Sequence, residues 1–166
     1  VATNSIDSRY GALKVMKVNA LSDVINAYIE IDDDLVTDRS QLKLTIYLNA
    51  DNNTSSHHDN FLGQTAVDYM AEGTLHFNSY SSSLYAYTGA IDSKWGWNWE
   101  KKLSSSENIF KGRGNETKYE ISIDRAKLAE KDINIQDPFS IGLLLVDGTT
   151  NGAIGVLPNG SVDDEN

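Results

Sequence analysis

Apolar and polar residues alternate with a period of two along most of this chain, the spacing of strands that bury one face. Residues 10–18 (YGALKVMKV) set Leu13, Val15 and Lys17 on one side and Lys14, Met16 and Val18 on the other. Val24–Ile31 (VINAYIEI) is rich in β-branched and aromatic residues, which fit a pleated surface. Residues 41–49 (QLKLTIYLN) alternate most clearly, with Leu42, Leu44, Ile46 and Leu48 facing one way and Lys43, Thr45 and Tyr47 the other. Further strands are predicted over 66–72 and 75–77, with Gly73 between them, and over 84–88. Tyr119, Ile121 and Ile123 give 118–123 an inward face, and 139–146 (FSIGLLLV) reads as a central strand. Residues 153–157 close the set.

The punctuation between these runs is turn chemistry. Asp32-Asp33-Asp34 follows the second strand, and Gly112-Arg113-Gly114 reads as a turn. Asp124 is placed to cap one or two helical turns over 124–129. Nine or ten short strands with one helical scrap predict an all-β fold, an antiparallel two-sheet β-sandwich of jelly-roll type with at most one short helix. At 166 residues a single domain spanning 1–166 is expected, with polar ends at 1–9 and 160–166.

Tryptophan changes this picture most. All three lie at Trp95, Trp97 and Trp99, so an extended backbone projects them from one face, with Gly96 and Asn98 on the other. Tyr85 and Tyr87 share the spacing, and the short connection 89–94 predicts a hairpin that joins both runs into an aromatic wall. Such a wall is either core, since large aromatics dominate sandwich interiors, or a platform for sugar rings, whose C–H faces pack on indole. In the second case Asn98 and Glu100 supply rim hydrogen bonds, with Asp92 and Lys94 near at hand.

The polar loop 50–64 (ADNNTSSHHDNFLGQ) offers hard oxygens at Asp51, Asn53 and Asp59, joined by Asp68 further on. Calcium takes six to eight such oxygens, so these four residues are candidate ligands for a structural calcium ion. A loop that caps itself through Asx-turns uses the same residues differently. The stretch lacks the glycine and terminal glutamate of an EF-hand.

Composition excludes several classes. A net charge of −10 opposes nucleic-acid binding, which needs clustered Lys and Arg. No cysteine is present, so disulfides and thiolate chemistry are absent. No apolar run is long enough for a membrane-spanning helix, and no leader peptide is visible. The chain therefore reads as a module of a larger multidomain protein. No nucleophile elbow, phosphate loop or His-Glu-x-x-His occurs, and His57, His58 and His76 join no specified catalytic arrangement, so the chain is read as non-catalytic.

Six segments together resemble a known superfamily: LNADNNT (48–54), AVDYMAEG (66–73), LYAYTG (84–89), WGWNW (95–99), KYEISID (118–124) and FSIGLLLVD (139–147). The series is similar to the β-sandwich superfamily that includes DOMON domains and family 9 carbohydrate-binding modules. The resemblance implies sugar binding between aromatic side chains in some members and structural calcium in several. Asp51 and Asn53 fall where such members carry an acidic loop, and Trp95 or Trp97 where the aromatic hairpin lies. The chain departs from the pattern at Ser55-Ser56-His57-His58, where many relatives have a Thr-Gly turn. Haem-binding members use Met and His, but no spacing joins Met16, Met70 and His76 here. The expected function is a carbohydrate-binding module of a secreted or cell-surface bacterial protein, with a polysaccharide or oligosaccharide as partner. The alternative is a calcium-dependent structural or ligand-binding domain of a bacterial surface adhesin.

Overall fold

The strongest alternating runs form the strands of the computed structural model, which describes residues 1–3, 10–53, 67–89 and 99–158. Twelve strands assort into two antiparallel six-stranded sheets among those residues. Sheet A contains β1 (Ala2–Thr3), β2 (Leu13–Ala20), β3 (Val24–Ile31), β6 (Ser79–Ser81), β9 (Phe110–Gly114) and β10 (Lys118–Asp124), in the spatial order β1-β2-β3-β10-β9-β6. Sheet B contains β4 (Leu42–Asn49), β5 (Tyr69–Thr74), β7 (Ser83–Tyr87), β8 (Trp99–Leu103), β11 (Ser140–Asp147) and β12 (Gly152–Leu157), in the order β12-β11-β4-β5-β7-β8. The all-β two-sheet sandwich expected from the pattern is the observed architecture.

The main core lies between the sheets. Ile25, Ile29, Ile121 and Ile123 of sheet A face Leu42, Leu44, Ile46, Leu143 and Leu145 of sheet B, all at 0–1% exposure. Burying a side chain of this size stabilises by about 1.5–3 kcal/mol, so this layer carries the sandwich. Asp124 caps α1 (Arg125–Ala129) by accepting the Lys127 N–H at 3.0 Å, and Leu128 of that helix joins the core.

A second cluster sits on the outer face of sheet B. Tyr10, Tyr47, Val67, Met70, Leu144 and Val156 are buried there, with Tyr85 and Trp99 packed against them. The polar-looking side of 41–49 is therefore also covered: Tyr47 is 3% and Thr45 2% exposed. Burial pushes the Tyr47 phenol well above its ordinary pKa, with the Glu72 carboxylate adding to the rise.

Two expectations are corrected. Gly112-Arg113-Gly114 is the body of β9, not a turn, since both glycines face inward where a side chain would collide with sheet A neighbours. A Cβ on Gly114 would lie 2.2 Å from the Tyr119 ring. Residues 75–77 do not form a strand: Leu75 makes one isolated bridge to Tyr80, and the chain turns into β6. Among the described residues no helix is long and apolar enough to cross a membrane.

Candidate functional site

Register shows which aromatic side chains share a face. Tyr47 pairs with Met70, Met70 with Tyr85, and Tyr85 with Lys101, while Tyr87 pairs with Trp99. Directly paired residues project to the same side of a sheet. Tyr47, Tyr85, Tyr87 and Trp99 thus share the outer face of sheet B, not the space between the sheets. A bulge between Leu84 and Tyr85 lets Leu103 turn inward while Trp99 and Lys101 stay outward. The Tyr87 and Trp99 rings meet edge to face, with centroids 5.6 Å apart and planes at 64°. That geometry suits the quadrupoles of two aromatic rings. Trp95, Trp97 and Asn98 lie outside the described residues, as does most of the 89–94 connection.

Glu100 is not on this face. It pairs with Ala86, on the opposite side of the strand from Trp99, and its carboxylate is 2.7 Å from the Lys102 ammonium. Period-two alternation separates the neighbours Trp99 and Glu100, so Glu100 stands on the other side of β8 from the aromatic pair.

The acidic loop and the aromatic strand, separate in the chain, meet at one end of sheet B. Asp68 is the knot. Its N–H donates to the Leu48 carbonyl at 2.9 Å, its carbonyl accepts the Tyr87 N–H at 2.8 Å, and its Oδ2 accepts the Ala50 N–H at 2.6 Å. Asp51 Oδ1 accepts the Asn53 N–H at 2.8 Å, an Asx-turn. The Asn53 carbonyl in turn accepts from Asn49 Nδ2 at 3.3 Å. Around these groups is a cavity of 280 Å³ lined by Asp51, Asp68, Tyr69, Tyr87 and Asn134, besides two alanines. The Tyr69 phenol is held above its ordinary pKa by burial first, with the Asp68 and Asp51 carboxylates adding and Lys102 opposing.

Carboxylate, amide and phenol groups beside an aromatic pair can hydrogen-bond hydroxyls while a ring packs on an apolar face. The same oxygens suit a hard cation. Asn49, one residue before Ala50 in the chain, is 2% exposed, and among the described residues its Oδ1 has no hydrogen-bond partner. This donor set is of the right kind for calcium and smaller than the six to eight oxygens calcium takes. Among the described residues no group of three or more His, Cys, Asp or Glu side chains is placed to hold a metal. Asp59 lies outside the described residues. Asn49, Tyr69 and Asn134 were not singled out in the sequence, and the only signal for Asn49 was a polar residue closing a strand whose two faces are both buried.

No protein-family model, curated protein or solved structure matches the chain.

Proposed function

We propose that the chain is a non-catalytic carbohydrate-binding module of a secreted or cell-surface bacterial protein. Its ligand is a polysaccharide or oligosaccharide, bound at the end of sheet B where β4, β5 and β7 meet. One observation carries the reading: Tyr87, edge-on to Trp99, lines the same cavity as Asp51, Asp68 and Asn134. A sugar presents an apolar C–H face and a hydroxyl rim, and this corner offers a ring for one and oxygen and amide groups for the other. The resemblance to DOMON domains and family 9 modules supports the same assignment. Trp95 and Trp97 belong to the proposed platform by their spacing with Trp99.

The test is a titration with soluble glycans, followed by tryptophan fluorescence and calorimetry. Tyr87→Ala is expected to weaken binding about tenfold, the scale of one lost aromatic contact with its buried area. A glycan panel that changes neither fluorescence nor melting temperature overturns the proposal.

A second reading is a calcium-dependent domain of a surface adhesin, favoured by the buried Asn49 Oδ1, which has no hydrogen-bond partner among the described residues, at the end of the strand that leads into the Asp51 loop. In that reading calcium stiffens the loop after β4 and does not touch sugar. A large drop in melting temperature on adding chelator, without any glycan response, selects it.

A further inference from the structure

The opposite side of the sandwich carries a feature that the sheet B site does not use. The outer face of sheet A is hollowed by a cavity of 890 Å³ across β3, β10, β9 and β6, with one of 460 Å³ beside it. The two share Asn26 and Glu120, so they form one continuous track. Register orders its side chains into two rows. The first runs Asn19, Asn26, Ser122, Lys111 and Ser81; the second runs Lys17, Tyr28, Glu120, Arg113 and Ser79. Each row crosses five strands, about 19 Å at the usual interstrand spacing. A track of that length fits a chain of several sugar units, not a single ring.

Charge narrows the ligand. The whole chain carries −10, yet Lys17, Lys111 and Arg113 stand in this track against one carboxylate within it, Glu120. Arg113 pairs in register with Glu120 and Lys111 with Ser122, but among the described residues neither cationic side chain makes a hydrogen bond or ion pair. Lys17 lies over the Tyr28 ring, its ammonium 5.3 Å from the centroid. Amides and hydroxyls interleaved with uncommitted cations are the complement of a chain that alternates hydroxyl groups with carboxylates. A solvated sheet face in an acidic protein gains nothing from gathering its cations in a hollow.

We propose that this track binds a carboxylated polysaccharide, of the polyuronate class, independently of the sheet B corner. Lys111 and Arg113 take its carboxylates, and Asn26, Ser122 and Ser79 take its hydroxyls.

The probe is an oligogalacturonate, titrated by calorimetry in the presence of chelator so that no calcium bridge can form. Its carboxyl-reduced counterpart and a DNA duplex are run in parallel. Lys111→Gln and Arg113→Gln are each expected to weaken binding about tenfold, the loss of one charge-assisted hydrogen bond. Both side chains are exposed, so unchanged melting curves accompany the loss. Binding is expected to weaken as salt is raised and to survive Tyr87→Ala. The proposal is overturned by absent binding, by equal affinity for the reduced chain, by tighter binding of DNA, or by indifference to both substitutions. Binding abolished by Tyr87→Ala alone moves the ligand to sheet B: it overturns this inference and leaves the proposed function standing.

Discussion

Gly73 offers a test of the fold in which the sign of the effect, not only its size, is at stake. Replacing glycine by alanine within a strand ordinarily stabilises by about 0.5–1 kcal/mol, because the unfolded chain has less freedom to lose. At Gly73 the chain of β6 and β7 crosses from sheet A to sheet B immediately against β5. A Cβ built there lies 2.0 Å from the Ser81 carbonyl oxygen and 2.8 Å from the Ser82 Cα. These are backbone atoms, so no rotamer change relieves the clash. Overpacking costs about 1–3 kcal/mol, and the rigid obstacle puts this site near the upper end. The net is a destabilisation of about 2 kcal/mol, which for a domain of this length lowers the melting temperature by about 4–8 °C. Gly152 is the control. Its Cβ would meet nothing closer than the Thr150 hydroxyl at 3.3 Å, so Gly152→Ala leaves the melting temperature unchanged or slightly raised. Scanning calorimetry of both variants at neutral pH makes the comparison. If Gly73→Ala melts at or above the unsubstituted protein, the crossing is not as close as described, and the placement of Tyr85 and Tyr87 on β7 loses its support.

Two further predictions concern buried polar groups. Asp147, at 1% exposure, accepts the Thr149 N–H at 2.9 Å and the Thr37 N–H at 3.2 Å. Burial alone would raise its pKa, but bonds from Thr149, Thr37 and Thr150 together lower it below the ordinary value. A lowered folded pKa means the contribution is whole above the unfolded value of about 3.9 and is lost as pH falls through the folded value. Asp147→Asn is therefore expected to melt lower at pH 7, with the gap closing below about pH 4; a gap independent of pH in thermal melts rules out the carboxylate charge as its source. Tyr80, at 2% exposure, donates its hydroxyl to the Leu44 carbonyl at 3.2 Å across the core. Tyr80→Phe is expected to cost about 1 kcal/mol in chemical denaturation, and no measurable change means the bond adds nothing to what the strand ladder already provides.

What could be read in advance followed from local periodicity. The inward set Leu42, Leu44, Ile46 and Leu48, the alternation of Tyr119, Ile121 and Ile123, and the Asp124 cap each depend on residues adjacent in the chain, and each stands in the structure. β9 was illegible because two of its inward positions, Gly112 and Gly114, carry no side chain: Ile121, the Glu120 carbonyl and the Tyr80 Cβ crowd the first, and the Tyr119 ring crowds the second. Thr45 and Tyr47 looked like a solvent face because polarity was read without knowing that Met70 and Leu144 would flank them. Asn134 reaches the sheet B corner from the loop after α1, a placement that no local pattern encodes.

The meeting of the aromatic strand with the acidic loop follows from sheet order. β5 lies between β4 and β7, so the residue that leads into β5 can bond to both neighbours at once. Asp68 does so with its backbone and then binds the Ala50 N–H with its carboxylate. The end of β4, the start of β5 and the end of β7 are thus pinned at one level, which fixes Tyr87 relative to Asp51 before any ligand arrives. Groups already held in place lose little freedom on binding, so for the ligand proposed above affinity would depend on these three bonds as much as on the side chains that touch it. The binding proposed for the sheet A track rests on other terms: its cations sit on flexible stems over a regular ladder, and selectivity there would come from charge spaced by the strands themselves.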